Sequence, residues 1–194
     1  MTAPADRAAC RSEDAILRAT LDLVAAHGVS GLTVDAVAAK AGVGKQTIYR
    51  HWGSRARLIH AAISCMQEPE DLPDTGTLRG DLSALLERLV AFLGSAETGT
   101  VLPSLIDAAS RDPELADLRQ VHTAQKRAGF EHVLRRAIDR DELPAGTDLD
   151  LVIDLLAGTF FYRRIVDRRE VAPGDVEPLL DLVLRAIGAS PVPA

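Results

Sequence analysis

Cysteine is nearly absent: Cys10 and Cys65 are the only two in 194 residues. Two thiols cannot build a disulfide framework, and no C-x-x-C pair or Cys/His cluster suggests a metal. The plain expectation is a reduced, cytoplasmic setting with no metal. Aromatics are scarce too, with four Phe, two Tyr and one Trp. The core must therefore be aliphatic, and Leu, Val, Ile and Ala recur throughout, which excludes disorder over most of the length. No run reaches the ~18 apolar residues that a membrane span needs. The best candidate, "LDLVIDLLAGTFFY", is broken by Asp150 and Asp154. The N-terminal "MTAPADRAACRSED" lacks the apolar stretch of a secretory signal. Catalytic signatures are missing as well. Ser12, Ser83, Ser95, Ser104 and Ser110 stand in no nucleophile elbow, and there is no Gly-rich phosphate loop. Asp139 and Asp141 sit in a polar patch that ends a helix. The chain is expected to be neither an enzyme nor a cofactor protein.

One absence is local. From Ala36 through Gln67 there is no Asp or Glu. Within that window "GVGKQTIYRHWGSRARL" (Gly42–Leu58) holds four Lys/Arg and a His. The whole chain has formal charge −6, yet residues 1–65 carry eight Lys/Arg against five acids, a net of +3. The remainder is then −9. A basic head on an acidic body points to a polyanion that meets only the head.

Helix signals fill the rest. "SEDAILRATLDLVAAHG" starts at a Ser12 cap, repeats apolar residues at Ile16, Leu17, Thr20, Leu23 and Val24, and closes at Gly28. "TVDAVAAKAG" follows, capped by Thr33 and ended by Gly42. After a short turn comes "KQTIYRHW", then a break at Gly53-Ser54 and a helix through Leu58, Ile59, Ala62, Ile63 and Met66. The Pro- and acid-rich "EPEDLPDTGT" (Glu68–Thr77) reads as a loop and as the boundary of a head, 1–67, and a body, 68–194. The body reads as further helices. One runs through Leu82–Leu93 and another through Leu102–Ala109, with Pro103 in its first turn. A long one starts at "RDPEL", and "LDLVIDLLAGTFFYRRIV" and "DVEPLLDLVLRAIG" are the last two. "RRIVDRRE" is expected to be a solvated helix end. No strand or repeat is evident. The fold class is all-α.

A short helix, a tight Gly turn and a second short helix form the helix-turn-helix plan, whose second helix enters the major groove. Ile48 and Trp52, four apart, share the inner side with Val37, Ala38, Ala41 and Val43. Lys45, Gln46, Thr47, Tyr49, Arg50 and His51 are left for the outer side. Lys suits guanine acceptors and Gln suits adenine. Thr47 suits a phosphate or a thymine methyl, Tyr49 and His51 suit phosphates, and Arg55 sits at a helix start where an anion is favoured.

These residues carry a resemblance. "GLTVDAVAAKAGVGKQTIYRHWGSRARLIHAAI" is similar to the DNA-binding domain of the TetR family of bacterial transcription repressors. The match runs from Thr33 to Leu58 and covers the first third of the chain. Gly44 replaces the usual Ser, Trp52 a Phe, Arg55 a Lys and Ala56 an acid. The resemblance implies DNA contacts from Thr33, Lys45, Gln46, Thr47, Tyr49, Arg50 and His51, with Arg55 on phosphate. It implies a helical ligand-binding body and a homodimer through the last two helices, which bring two heads to a palindromic double-stranded operator. A small apolar or aromatic effector would release the DNA. Phe92, His122, Gln125, Phe160 and Phe161 are the candidate pocket residues; the alternative is that His122 and the Phe side chains are plain core. Two other readings stay open: a DNA-binding regulator with no small-molecule effector or one controlled by a protein partner, and a helical interaction module that never meets DNA.

Overall fold

In the computed structural model, residues 4–66 and 71–189 are described, without the side chains of 4–11 and of Glu97. Expectations that involve the side chains of Arg7, Cys10 and Arg11, or the Glu68–Glu70 part of the boundary loop, fall outside what is described. The described residues form nine α-helices and no strand. In chain order these are α1 (Pro4–Gly31), α2 (Val34–Ala41), α3 (Lys45–Trp52), α4 (Arg55–Ser64), α5 (Leu78–Gly94), α6 (Ala96–Ala109), α7 (Pro113–Asp139), α8 (Leu149–Phe161) and α9 (Val176–Ala186). A π-helical turn, Tyr162–Val166, extends α8.

Most helix boundaries follow local chemistry. Thr33 accepts from the Ala36 N–H, Ser54 from that of Arg57, Thr77 from that of Gly80 and Asp148 from that of Leu151. Each satisfies a donor that the first turn leaves unpaired. Gly42, at φ 68°, is the left-handed residue that ends α2 and aims the chain into α3. Two starts differ from expectation. α1 begins at Pro4, so Ser12 lies inside it rather than capping it. The Ala- and Arg-rich residues before Ser12 are good helix formers, and helix propensity there outweighs the cap signal. α6 begins at Ala96, where the Ser95 hydroxyl accepts from the Thr98 N–H, so Pro103 lies within the helix rather than in its first turn. Gly28, at φ 72°, breaks α1 near its end as expected.

The chain forms two compact units, Met1–Glu68 with Thr100–Val121, and Pro69–Gly99 with His122–Ala194. Residues 100–121, C-terminal to the boundary loop, thus belong with the head. The head has its own core: Ile16, Val24, Leu32, Val37, Ile48, Leu58 and Ile59 are all buried, with Val101, Leu105 and Leu115 from α6 and α7. These are aliphatic, as the scarcity of aromatics requires.

In the other unit α5 packs on α8 and α9, and α8 on α9. Leu82, Leu86, Val90, Leu134, Leu156, Phe160 and Leu180 fill its centre. Its charged cluster is Asp81, which has no exposed surface. One Asp81 oxygen accepts from the Thr75 N–H (2.6 Å) and hydroxyl (2.9 Å), the other from Arg136 (2.7 Å). Burial pushes the Asp81 carboxyl up, but those donors together outweigh it and hold the group below its ordinary value. The "RRIVDRRE" stretch is not simply a solvated end. Arg164 donates to the carbonyls of Leu93 and Ser95, which end α5, and its guanidinium occupies the space that Gly99 leaves open. Arg163 pairs with Asp175 at 3.1 Å.

Candidate nucleic-acid interface

Geometry on α3 follows from its length. Eight residues make just over two turns, so one face is fixed by two side chains four apart. Ile48 is 1% exposed, and Trp52 packs half-buried against the same core. With those two turned inward, Lys45, Gln46, Tyr49, Arg50 and His51 lie exposed, and Thr47 is half-buried. Tyr49 keeps 49% of its surface open, unusual for a large ring in a chain so poor in aromatics. The Gly44 cap offers α3 no side-chain acceptor. Thr33, exposed at the start of α2, accepts through its oxygen and so keeps its O–H free to donate.

Arg55 differs from expectation. Its Nε donates to the Leu32 carbonyl at 2.9 Å, one Nη to the Val29 carbonyl, and the other Nη lies 3.7 Å from Asp112. Those carbonyls lie at and just past the end of α1, where no following turn supplies helical N–H donors to them. The planar fork thus staples α4 to the end of α1. Beside it, the Ser54 hydroxyl donates to Glu114 at 2.8 Å, and Arg57 lies 3.5 Å from the same carboxylate.

The acid-free window of the sequence is filled in three dimensions. Lys40 pairs with Asp22 of α1 at 3.1 Å, and His51 Nδ1 lies 3.0 Å from Glu13 of α1. Lys45 pairs with Asp35 of α2, whose hydrogen bond and charge raise the ammonium above its ordinary pKa. On α3 only Arg50 has no ion pair among the described residues. The head unit as a whole carries ten Lys/Arg against ten acids, a net of zero. Sequence reasoning missed these partners because they lie 10 to 57 positions away along the chain.

The five pocket candidates take different environments. Phe160 is fully buried in the core and Phe92 and His122 are half-buried, while Gln125 and Phe161 face solvent. Adjacent residues on a helix point about 100° apart, so Phe160 and Phe161 part company. Phe161 instead joins an exposed apolar face of α8 with Leu151, Leu155 and Tyr162, continued by Val166. Gly158 lies on that face with open space around it. Leu182 is the matching exposed residue of α9.

An inward-packed Ile–Trp pair that turns cationic, amide and hydroxyl groups outward on a second short helix defines a helix-turn-helix DNA-binding regulator. Comparison with known proteins agrees. Residues 16–62 match the model of the bacterial regulatory proteins of the tetR family, and residues 72–183 that of a tetracyclin repressor-like C-terminal domain. An uncharacterised HTH-type transcriptional regulator of Mycobacterium tuberculosis is 36% identical over 174 residues, 89% of this chain and 85% of its own. The DNA-binding transcriptional repressor TetR of Mycobacteroides abscessus is 33% identical over 152 residues, covering 77% and 80% of the two chains. Among solved structures, the TetR family transcription regulator SCO0332 superposes with a TM-score of 0.68 at 30% identity, covering 93% of this chain and 99% of its own. The chain belongs to the TetR family and is a DNA-binding transcriptional regulator. No described helix is long and apolar enough to cross a membrane by itself.

Proposed function

We propose that this regulator is a cytoplasmic repressor that binds a palindromic operator as a homodimer and leaves it when a small apolar or aromatic molecule enters the body. Each subunit places α3 in a major groove. Lys45 and Gln46, at its start, meet base edges, while Thr33, Thr47, Tyr49, Arg50 and His51 meet phosphates and flanking edges. The observation that carries this is the division of α3 into an inward side, Ile48 and Trp52, and an open side bearing Lys45, Gln46, Tyr49, Arg50 and His51. Dimerisation is supported by the exposed stripe Leu151, Leu155, Phe161 and Tyr162 on α8 with Leu182 on α9, apolar surface that a second copy would remove from water. Release by a small molecule is supported by membership of the family, whose regulators bind ligands in this body. The ligand must bind the two dimer states unequally, since equal affinity shifts nothing.

A duplex enriched from a randomised library by the wild-type protein supplies the test. Lys45→Ala and Tyr49→Ala should each lose at least about tenfold in affinity, the scale of one lost base or phosphate contact per half-site, while sedimentation still reports a dimer. Unchanged binding by both variants would remove α3 from the groove.

A further inference from the structure

We propose that Glu13 is a positioning residue for the DNA contact: it fixes a hydrogen on Nδ1 of His51, so that His51 donates to a phosphate only as the imidazolium and operator binding takes up protons. This rests on the reading that α3 lies in the groove with His51 at the DNA backbone. Nδ1 of His51 lies 3.0 Å from a Glu13 carboxylate oxygen. An ionised carboxylate only accepts, so the ring nitrogen that faces it carries the hydrogen. The bond made by one ring nitrogen sets the protonation of the other, and a neutral His51 is left with a bare lone pair on Nε2. A phosphate oxygen is an acceptor too. Neutral His51 therefore has no hydrogen to offer it, whereas the imidazolium donates from both nitrogens, one to Glu13 and one to the phosphate.

The surroundings hold the ring in this arrangement. Its centroid lies 5.6 Å from that of the Trp52 ring, and Trp52 packs on the core of the head. The His51 side chain keeps 31% of its surface open, in the last turn of α3, where the helix dipole favours a cation. α3 packs on α2 and α4. The charged groups of α2, Asp35 and Lys40, pair with Lys45 and Asp22, and those of α4, Arg55 and Arg57, reach Asp112 and Glu114. His60 of α4 is half-buried, and Asp14 and Arg18 of α1 are exposed. Among the described residues Glu13 is the ion-pair partner of His51. The second proton comes from solvent on binding and returns to it on release. Because the complex holds more protons than the free protein, affinity rises as the pH falls through the range in which imidazoles titrate, around pH 6.5.

Affinity for the library-enriched duplex would be measured at constant salt from about pH 6 to about pH 8. Calorimetry in buffers of different ionisation enthalpy would count the protons taken up. Wild-type affinity should fall about 10- to 100-fold over that range, the scale of one charge-assisted bond lost in each of two subunits. Near neutral pH, binding should take up about 0.5–1 proton per subunit. His51→Gln, whose amide donates at any pH, should change less than about threefold and take up almost none. In Glu13→Gln the new amide donates to Nδ1, which moves the hydrogen of a neutral ring to Nε2. That variant should bind more tightly than the wild type at the alkaline end and keep less than about half of the wild-type change in log affinity. A flat or inverted wild-type profile, a profile that survives His51→Gln, or a Glu13→Gln profile parallel to the wild type would each overturn the proposal. Failure of the groove reading looks different: His51→Gln and Lys45→Ala would then both bind the duplex as the wild type does at every pH.

Discussion

Replacing Arg55 distinguishes a staple from a phosphate contact. The family pattern has Lys here, so Arg55→Lys is the mildest change available and keeps the charge. A lysine ammonium cannot reproduce the fork that reaches the Leu32 and Val29 carbonyls together while facing Asp112. Hydrogen bonds from a charged donor contribute about 1.5–3 kcal/mol each. The Arg55 side chain is 32% exposed, so water takes over part of that role, and about 1–2 kcal/mol in all is the reasonable loss. For a chain of this length about 2–4 °C accompanies each kcal/mol, so the melting temperature should fall by roughly 2–8 °C. Arg55→Gln removes the charge and should fall at least as far. The DNA measurement separates the two accounts. A lost phosphate contact would flatten the salt slope by about 0.9 per subunit. A lost staple leaves the slope unchanged in both variants, because the number of phosphates neutralised is the same. An unaltered melting temperature together with a flattened slope for Arg55→Gln would refute the staple.

Asp81→Asn should cost about 2–4 kcal/mol, since it leaves Arg136 facing a neutral amide within a buried network; urea unfolding measures it. As its folded pKa lies below the ordinary carboxylate value, Asp81 stabilises the fold above that value, and the contribution drains away as the pH falls through the folded one. On α4, burial lowers the His60 pKa below 6.5. The unfolded chain then binds that proton first on acidification, so His60 should make stability fall as the pH drops below about 6.5, and His60→Gln should lessen the decline in melting temperature between about pH 7.5 and 5.5. Leu155→Glu places a charge on the exposed face of α8. It should yield folded monomers by sedimentation with unchanged helicity, whereas an intact dimer would remove α8 from the interface.

What the sequence disclosed was local. Thr33, Gly42 and the Gly53-Ser54 break each act on a helix end within three residues of themselves, so the bounds of α2 and α3 and the start of α4 could be read directly. The inward side of α3 was legible for the same reason, because Ile48 and Trp52 are four apart on one short helix. Long-range contacts were not legible. The acid-free window suggested a strongly cationic head, yet Asp22, Asp112 and Glu114 arrive from other helices to meet its cations, and Glu13 meets His51. Arg55 read as a phosphate ligand from its motif position, and only the fold, which brings the end of α1 beside it, shows that it donates to the Leu32 and Val29 carbonyls. Phe160 and Phe161 looked alike in sequence, and one helical step sent the first to the core and the second to the surface.

Guanine N7 lies in the major groove, and dimethyl sulfate methylates it there, so protection from that reagent tests the placement of α3 most directly. On the enriched duplex the wild-type protein should protect guanines in two half-sites about one helical turn, or a whole number of turns, apart. Lys45→Ala should lose that protection at concentrations that still occupy the duplex. Protection that Lys45→Ala leaves intact, or a footprint confined to minor-groove adenine N3, would contradict the account.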